Sequence, residues 1–133
     1  MEREPEHETR RSRPVSILVV DDDAAIRELM AELLSGQGFT VHQADNGRRA
    51  MEAVEREAVD LVITDLIMPE QEGLQTIRQL RQKYPHIRVI ATSGYLGADH
   101  LQHASVFGAC ATLRKPFPLD SLLRTVEKVL QTD

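Results

Sequence analysis

Three carboxylates stand in a row at Asp21, Asp22 and Asp23, a fourth stands alone at Asp65, hydroxyls sit at Thr92 and Ser93, and Lys115 precedes Pro116. If a fold gathers them, the carboxylates repel. Two unit charges ~4 Å apart cost about 4 kcal/mol at an effective dielectric near 20. Such a cluster calls for a cation. All-oxygen donors with room for several waters suit Mg2+, and Mn2+ can substitute. Lys115 adds an ammonium and Ser93 a hydroxyl donor, so the set is suited to holding a phosphoryl group. Each group also has a plainer reading. Acids are favoured at helix starts, and Asp23 is expected to cap the helix that follows, but three in a row exceed what a cap needs. Asp65 alone could form a turn ahead of Met68-Pro69, and Lys115 alone could be a surface lysine. Ser93 is preferred to Thr92 because Gly94 beside it leaves room for a phosphoryl oxygen, with Thr92 the alternative.

The elements that must position these residues follow from periodicity. Short, β-branched runs at 15–20, 39–44, 59–64, 87–92 and 109–113 read as strands. Ile26, Leu29, Met30, Leu33 and Leu34 repeat at helical spacing over 24–35, and Gly36 and Gly38 stop that helix. Asn46-Gly47 reads as a turn before a charged helix over 48–57, and 68–73 as a loop. Leu74, Ile77, Leu80 and Tyr84 mark a helix that ends before Pro85, residues 99–106 a short weak one, and Leu119 to Leu130 a last helix with a clear apolar stripe. Strands that alternate with helices imply βαβ units and a parallel sheet with right-handed crossovers. The expected fold is α/β: five parallel strands, doubly wound, (βα)5. Ligands of such sheets sit beyond the carboxyl ends of the strands, where Asp21–23, Asp65, Thr92-Ser93 and Lys115 all fall. Cys110 is expected to be a small buried residue of the fifth strand.

Four fragments in this order resemble the response-regulator receiver domain of two-component signalling: Ile17-Leu18-Val19-Val20-Asp21-Asp22-Asp23, Asp65-Leu66-Ile67-Met68-Pro69 with Gly73 following, Ser93-Gly94, and Lys115-Pro116-Phe117. The resemblance covers residues 14–131 and implies the flavodoxin-like strand order 2-1-3-4-5. It implies that Asp65 is the phosphoacceptor, that Asp22 binds Mg2+ directly and Asp21 mostly through water, and that the main-chain carbonyl of Ile67 completes the protein ligands. It also implies that Ser93 and Lys115 hold phosphoryl oxygens and that the Lys115-Pro116 peptide bond is cis. Two departures stand out. Thr112 occupies a position where the family usually has Tyr or Phe, so an aromatic in/out switch cannot operate, and Tyr95 is a candidate gate instead. Ile67 and Tyr95 flank the expected phosphosite, and an apolar Ile67 cannot orient an attacking water, which points to slow loss of the phosphoryl group.

Composition bounds the remaining possibilities. The 133 residues, 41% hydrophobic and 28% charged, with one cysteine, fit one globular domain and exclude a disulfide scaffold. The net charge of -5 disfavours general nucleic-acid binding, and the longest apolar runs are strand-sized, so neither nucleic acid nor membrane is an expected partner. Residues 1–13 mix four Glu with four Arg and read as a disordered, solvated tail, although Arg10 to Arg13 could touch phosphate. The five histidines form no ligand group with a carboxylate or cysteine; His100 and His103 are read as a solvated face. The expected partners are a sensor histidine kinase or a histidine phosphotransfer protein, and an unknown downstream protein that reads the face formed by residues 99–130. A homodimer through that face is a further reading. The expected setting is a stand-alone cytoplasmic receiver, a signalling domain that catalyses only its own phosphorylation and dephosphorylation. A phosphorelay intermediate or phosphate sink is the alternative. An aspartate-nucleophile phosphatase is disfavoured because such enzymes usually carry a second acid two residues after the nucleophile, where Ile67 stands.

Overall fold

Five apolar runs become five parallel strands, and the helices between them cover both faces of the sheet. The computed structural model describes residues 13–66, 73–94 and 108–131. In chain order the elements are β1 (Ser16–Val20), α1 (Ala24–Gly36), β2 (Thr40–Ala44), α2 (Gly47–Arg56), β3 (Leu61–Asp65), α3 (Gly73–Lys83), β4 (Arg88–Ser93), β5 (Ala111–Arg114) and α4 (Leu119–Gln131). The strand order is β2-β1-β3-β4-β5, as the resemblance implies. The helix expected over 99–106 lies outside the described residues.

Alternation along the strands divides the interior into two layers. Leu18, Val20, Val62, Val89 and Ala91 pack against Ala50, Ala53 and Val54 of α2 and Ile77 and Leu80 of α3. Ile17, Val19, Leu61, Ile63 and Ile90 pack against Met30 and Leu34 of α1 and Leu122, Val126 and Val129 of α4. Burial on both faces is why β1 and β3 carry the apolar runs Ile17–Val20 and Leu61–Ile63. Each buried Val, Leu, Ile or Met among them stabilises the fold by about 1.5–3 kcal/mol relative to exposure.

Chain ends of the elements differ from the sequence reading in informative ways. Asp23 caps α1 as expected, its carboxylate accepting from the N–H groups of Ala25 and Ile26. Asn46 is no turn former: it is a buried N-cap of α2, with its side chain accepting from the Arg49 N–H at 2.8 Å. Gly38 ends the α1 turn at φ 97°, a left-handed conformation that glycine tolerates. Asp65 and Ser93 are the last residues of β3 and β4 rather than the first loop residues. Cys110 corrects the expectation most clearly: it precedes β5 and is exposed, because β5 is a four-residue edge strand that begins only at Ala111. Among the described residues no helix is long and apolar enough to cross a membrane.

Candidate functional site

The sheet's direction of growth reverses at β1, which has β2 on one side and β3 on the other. Crevices open at such switch points, beyond the carboxyl ends of the strands. Register makes the juxtaposition specific. Val20 pairs with Thr64, so Asp21, one residue on, comes level with Asp65, and Asp65 pairs in turn with Thr92. Ser93 pairs with Arg114, and the Lys115 N–H donates to the Ser93 carbonyl at 2.8 Å. The four separated groups therefore meet at one sheet edge.

Asp21 is fully buried and held on every side. Its N–H donates to the Ala44 carbonyl at 3.1 Å, and its carboxylate accepts from the Asp23 N–H at 2.9 Å. Lys115 Nζ donates to the other carboxylate oxygen of Asp21 at 2.6 Å and to Asp65 Oδ2 at 3.3 Å. Burial acts to lower the Lys115 pKa, but the hydrogen bond and charge of Asp21, aided by Asp65, outweigh it and hold the ammonium above its ordinary value. The lysine is therefore charged throughout the neutral range. The Lys115-Pro116 bond is cis, as the resemblance implies.

Asp22 is exposed beside this pair. One carboxylate oxygen from each of Asp21, Asp22 and Asp65 lies within 4.8 Å of the others. Among the described residues, three carboxylates meet the Lys115 ammonium in a small volume, and a hard divalent cation with oxygen ligands fits that donor set. Ile67, whose carbonyl the sequence reading adds to the ligands, and Tyr95 lie outside the described residues. Thr92 and Ser93 are both fully buried, and neither hydroxyl has a hydrogen-bond partner among the described residues. A buried hydroxyl without a partner is costly unless a ligand completes it. Among the described residues, a Cβ built on Gly94 meets nothing within 4 Å, so open space lies beside Ser93.

Two residues support the site: Arg27, which carries no signal in the sequence, and Gly73, which stands there only as part of a motif. Arg27, on the first turn of α1, donates from Nη1 to the Asp21 carbonyl at 2.9 Å while its Nε donates to Gln43 Oε1 at 3.0 Å. It ties the loop after β1 to α1 and β2. Gly73 begins α3 directly against the end of β3: a Cβ there would lie 2.1 Å from the Asp65 carbonyl oxygen and 2.5 Å from Leu66 Cα. Its N–H donates to the Leu66 carbonyl at 2.9 Å. The sequence signal for Gly73 was present as part of a motif, but its steric reason is visible only in space.

Comparison with known proteins gives a consistent picture. The family model described as "Response regulator receiver domain" matches residues 17–127. Sporulation initiation phosphotransferase F of Bacillus subtilis is 34% identical over 114 residues, which cover 86% of this chain and 92% of that protein. Sensor kinase CckA of Brucella abortus is 34% identical over 132 residues, 98% of this chain but 14% of the kinase. The chain likewise spans 26% of the transcriptional regulatory protein ZraR of Escherichia coli. Among solved structures, the receiver domain of NtrX from Brucella abortus superposes with a TM-score of 0.84 at 31% identity, covering 88% of this chain and 99% of that one.

Proposed function

Because this chain belongs to the response-regulator receiver domain family, a family of signalling domains, we propose that Asp65 accepts a phosphoryl group from a phosphohistidine. A carboxylate oxygen of Asp65 attacks phosphorus, the P–N bond breaks, and its electron pair leaves with the imidazole. Lys115, already against Asp65 Oδ2, neutralises one oxygen of the transferring group. Ser93 donates its hydroxyl to another, with Thr92 the alternative because it shares register with Asp65. Asp22 and Asp65 would hold Mg2+, or Mn2+ in its place, with the Ile67 carbonyl completing the set. The burial of Asp21 and its engagement by Lys115 support a role for it mostly through water. When bound, the ion neutralises charge on the transferring group.

The observation that carries this reading is one ammonium bridging Asp21 and Asp65, two carboxylates from different strands, within a cluster that fits a divalent ion. The test is incubation with acetyl phosphate and Mg2+ followed by mass measurement. The wild type should gain one phosphoryl group and Asp65→Asn none; labelling of Asp65→Asn to the same extent would refute the assignment. Ser93→Ala should slow the gain more than Thr92→Val does, and the reverse order would transfer the role to Thr92.

Receivers interact with sensor kinases and phosphotransfer proteins. An apolar groove of about 490 Å3 adjoins Lys115, lined by Ile26, Leu29, Met30, Pro116, Phe117 and Leu119. Leu29 and Leu119 are 51% and 40% exposed. Its apolar lining beside the phosphosite supports contact with the protein that brings the phosphohistidine. Phosphorylation then signals through a shift of the face formed by residues 99–130 to a protein partner. A relay role without such output is the second reading, favoured by the word phosphotransferase in the name of the Bacillus relative. Beryllofluoride separates the two: altered partner affinity supports the switch, unaltered affinity the relay.

A further inference from the structure

A second cavity, of about 760 Å3, opens between α3, α4 and the starts of β4 and β5. Arg81, His86, Arg88 and Lys128 line it together with Cys110 and Thr125, and among the described residues no Asp or Glu lines it. In a chain of net charge -5 that is a local reversal of sign. Two of these cations are fixed in place. Arg81 Nη1 donates to the Ile87 carbonyl at 2.7 Å and Arg88 Nη1 to the Val129 carbonyl at 2.8 Å, which orients both guanidiniums without neutralising them. A preoriented cationic cavity is suited to an anion.

Arg13, the first described residue, lies beside it. Arg13 donates twice to the Asp60 carboxylate, at 3.0 and 2.9 Å, and the Ser16 N–H donates to the same group at 2.8 Å. Asp60 shares a small depression with His86 and Arg88, both of which also line the cationic cavity. Arg13 and Glu57 line an adjoining depression with His86, and Asp60 is the acid that Arg13 occupies. The chain is thus tethered at the flank of the cavity. Upstream stand Glu2, Glu4, Glu6 and Glu8, at every second residue. In an extended backbone those four share one side and Arg3, Pro5 and His7 the other. They lie five to eleven residues from Arg13, a reach of about 17–36 Å at ~3.3 Å per residue.

We propose that the cavity between α3, α4 and β5 is an acidic-peptide site whose occupant is this chain's own segment 2–8, the four glutamates facing Arg81, Arg88 and Lys128. Tethering makes the contact intramolecular, so it forms without high affinity for a free peptide.

The test compares 15N–1H spectra of the full chain with those of a variant carrying Glu2→Gln, Glu4→Gln, Glu6→Gln and Glu8→Gln. At low salt the amide signals of Ala111, Thr112 and Thr125 should differ between the two proteins. In ~1 M salt, where the screening length falls to about 3 Å, the spectra should coincide at these positions. The control is Glu28→Gln with Glu32→Gln on α1, which alters net charge but lines neither the cavity nor the depressions beside it. Cavity signals that superimpose at low salt, or that move as far in the control, would overturn the proposal.

Discussion

Asp21 and Asp65 leave different strands and meet at one ammonium, so the charge balance of the pocket rests on Lys115. Replacing it by methionine strands Asp21, which is fully buried. Breaking a buried pair costs about 3–5 kcal/mol. Lys115 is 16% exposed, so about 2 kcal/mol is the expected loss in urea unfolding. The folded-state pKa of Lys115 is raised, so its pairing contributes in full below the ordinary lysine value of 10.5 and is lost as pH climbs through the higher folded value. The gap between wild type and Lys115→Met should therefore stay flat through neutral pH and narrow only in strong alkali. A gap that closes near neutrality would contradict the assignment. Asp22 behaves oppositely. It is exposed and repelled by two neighbours, so Asp22→Asn should stabilise the metal-free protein and diminish the gain on adding Mg2+. That gain, for the wild type at tenfold the dissociation constant, is about 1.4 kcal/mol. Thermal unfolding in chelator and in Mg2+ measures both, and an undiminished gain would remove Asp22 from the ligands.

Helix placement decides whether those side chains arrive together. The first turn of α3 lies against the last residue of β3, and only a residue without Cβ permits that approach at position 73. Gly73→Ala forces the helix away or distorts the Asp65 carbonyl. Overpacking of this kind costs about 1–3 kcal/mol, and the clash is with backbone, which cannot swing aside. A loss of about 3 kcal/mol is expected, with slower labelling by acetyl phosphate because Asp65 moves with its backbone. Normal stability and labelling would show that α3 has freedom the packing does not suggest. The caps illustrate how local chemistry was read unevenly. Asp23 was legible because an acid before an apolar-periodic run is a helix-start signal. Asn46 was not, since Asn-Gly is also the commonest turn pair and only burial and the bond to Arg49 separate the two.

Across the whole molecule, chemistry and recognition occupy adjoining surfaces. Leu29 lies in the apolar groove beside Lys115, and its side chain is half exposed, so Leu29→Arg leaves the core untouched. It should label normally with acetyl phosphate and poorly with a phosphorylated histidine protein, the two rates measured side by side. Equal loss with both donors would mean that the groove acts on the chemistry; equal retention would mean that the donor docks elsewhere.

Fold class and the four site groups were legible in the sequence because apolar periodicity and parallel topology act through local pattern, whereas the strand order came with the family resemblance. A strand buried on both faces must be apolar through its middle, and the carboxyl ends of successive parallel strands must emerge at the same sheet edge. Side-chain competition was decided only in space. The sequence offers Asp21, Asp22 and Asp23 as equivalents, but pleat, register and the turn into α1 bury the first against Lys115, expose the second and make the third a cap. The same holds for Arg27, Gly73 and the exposed Cys110: their roles depend on what approaches from distant segments, and no local pattern encodes a contact of that kind.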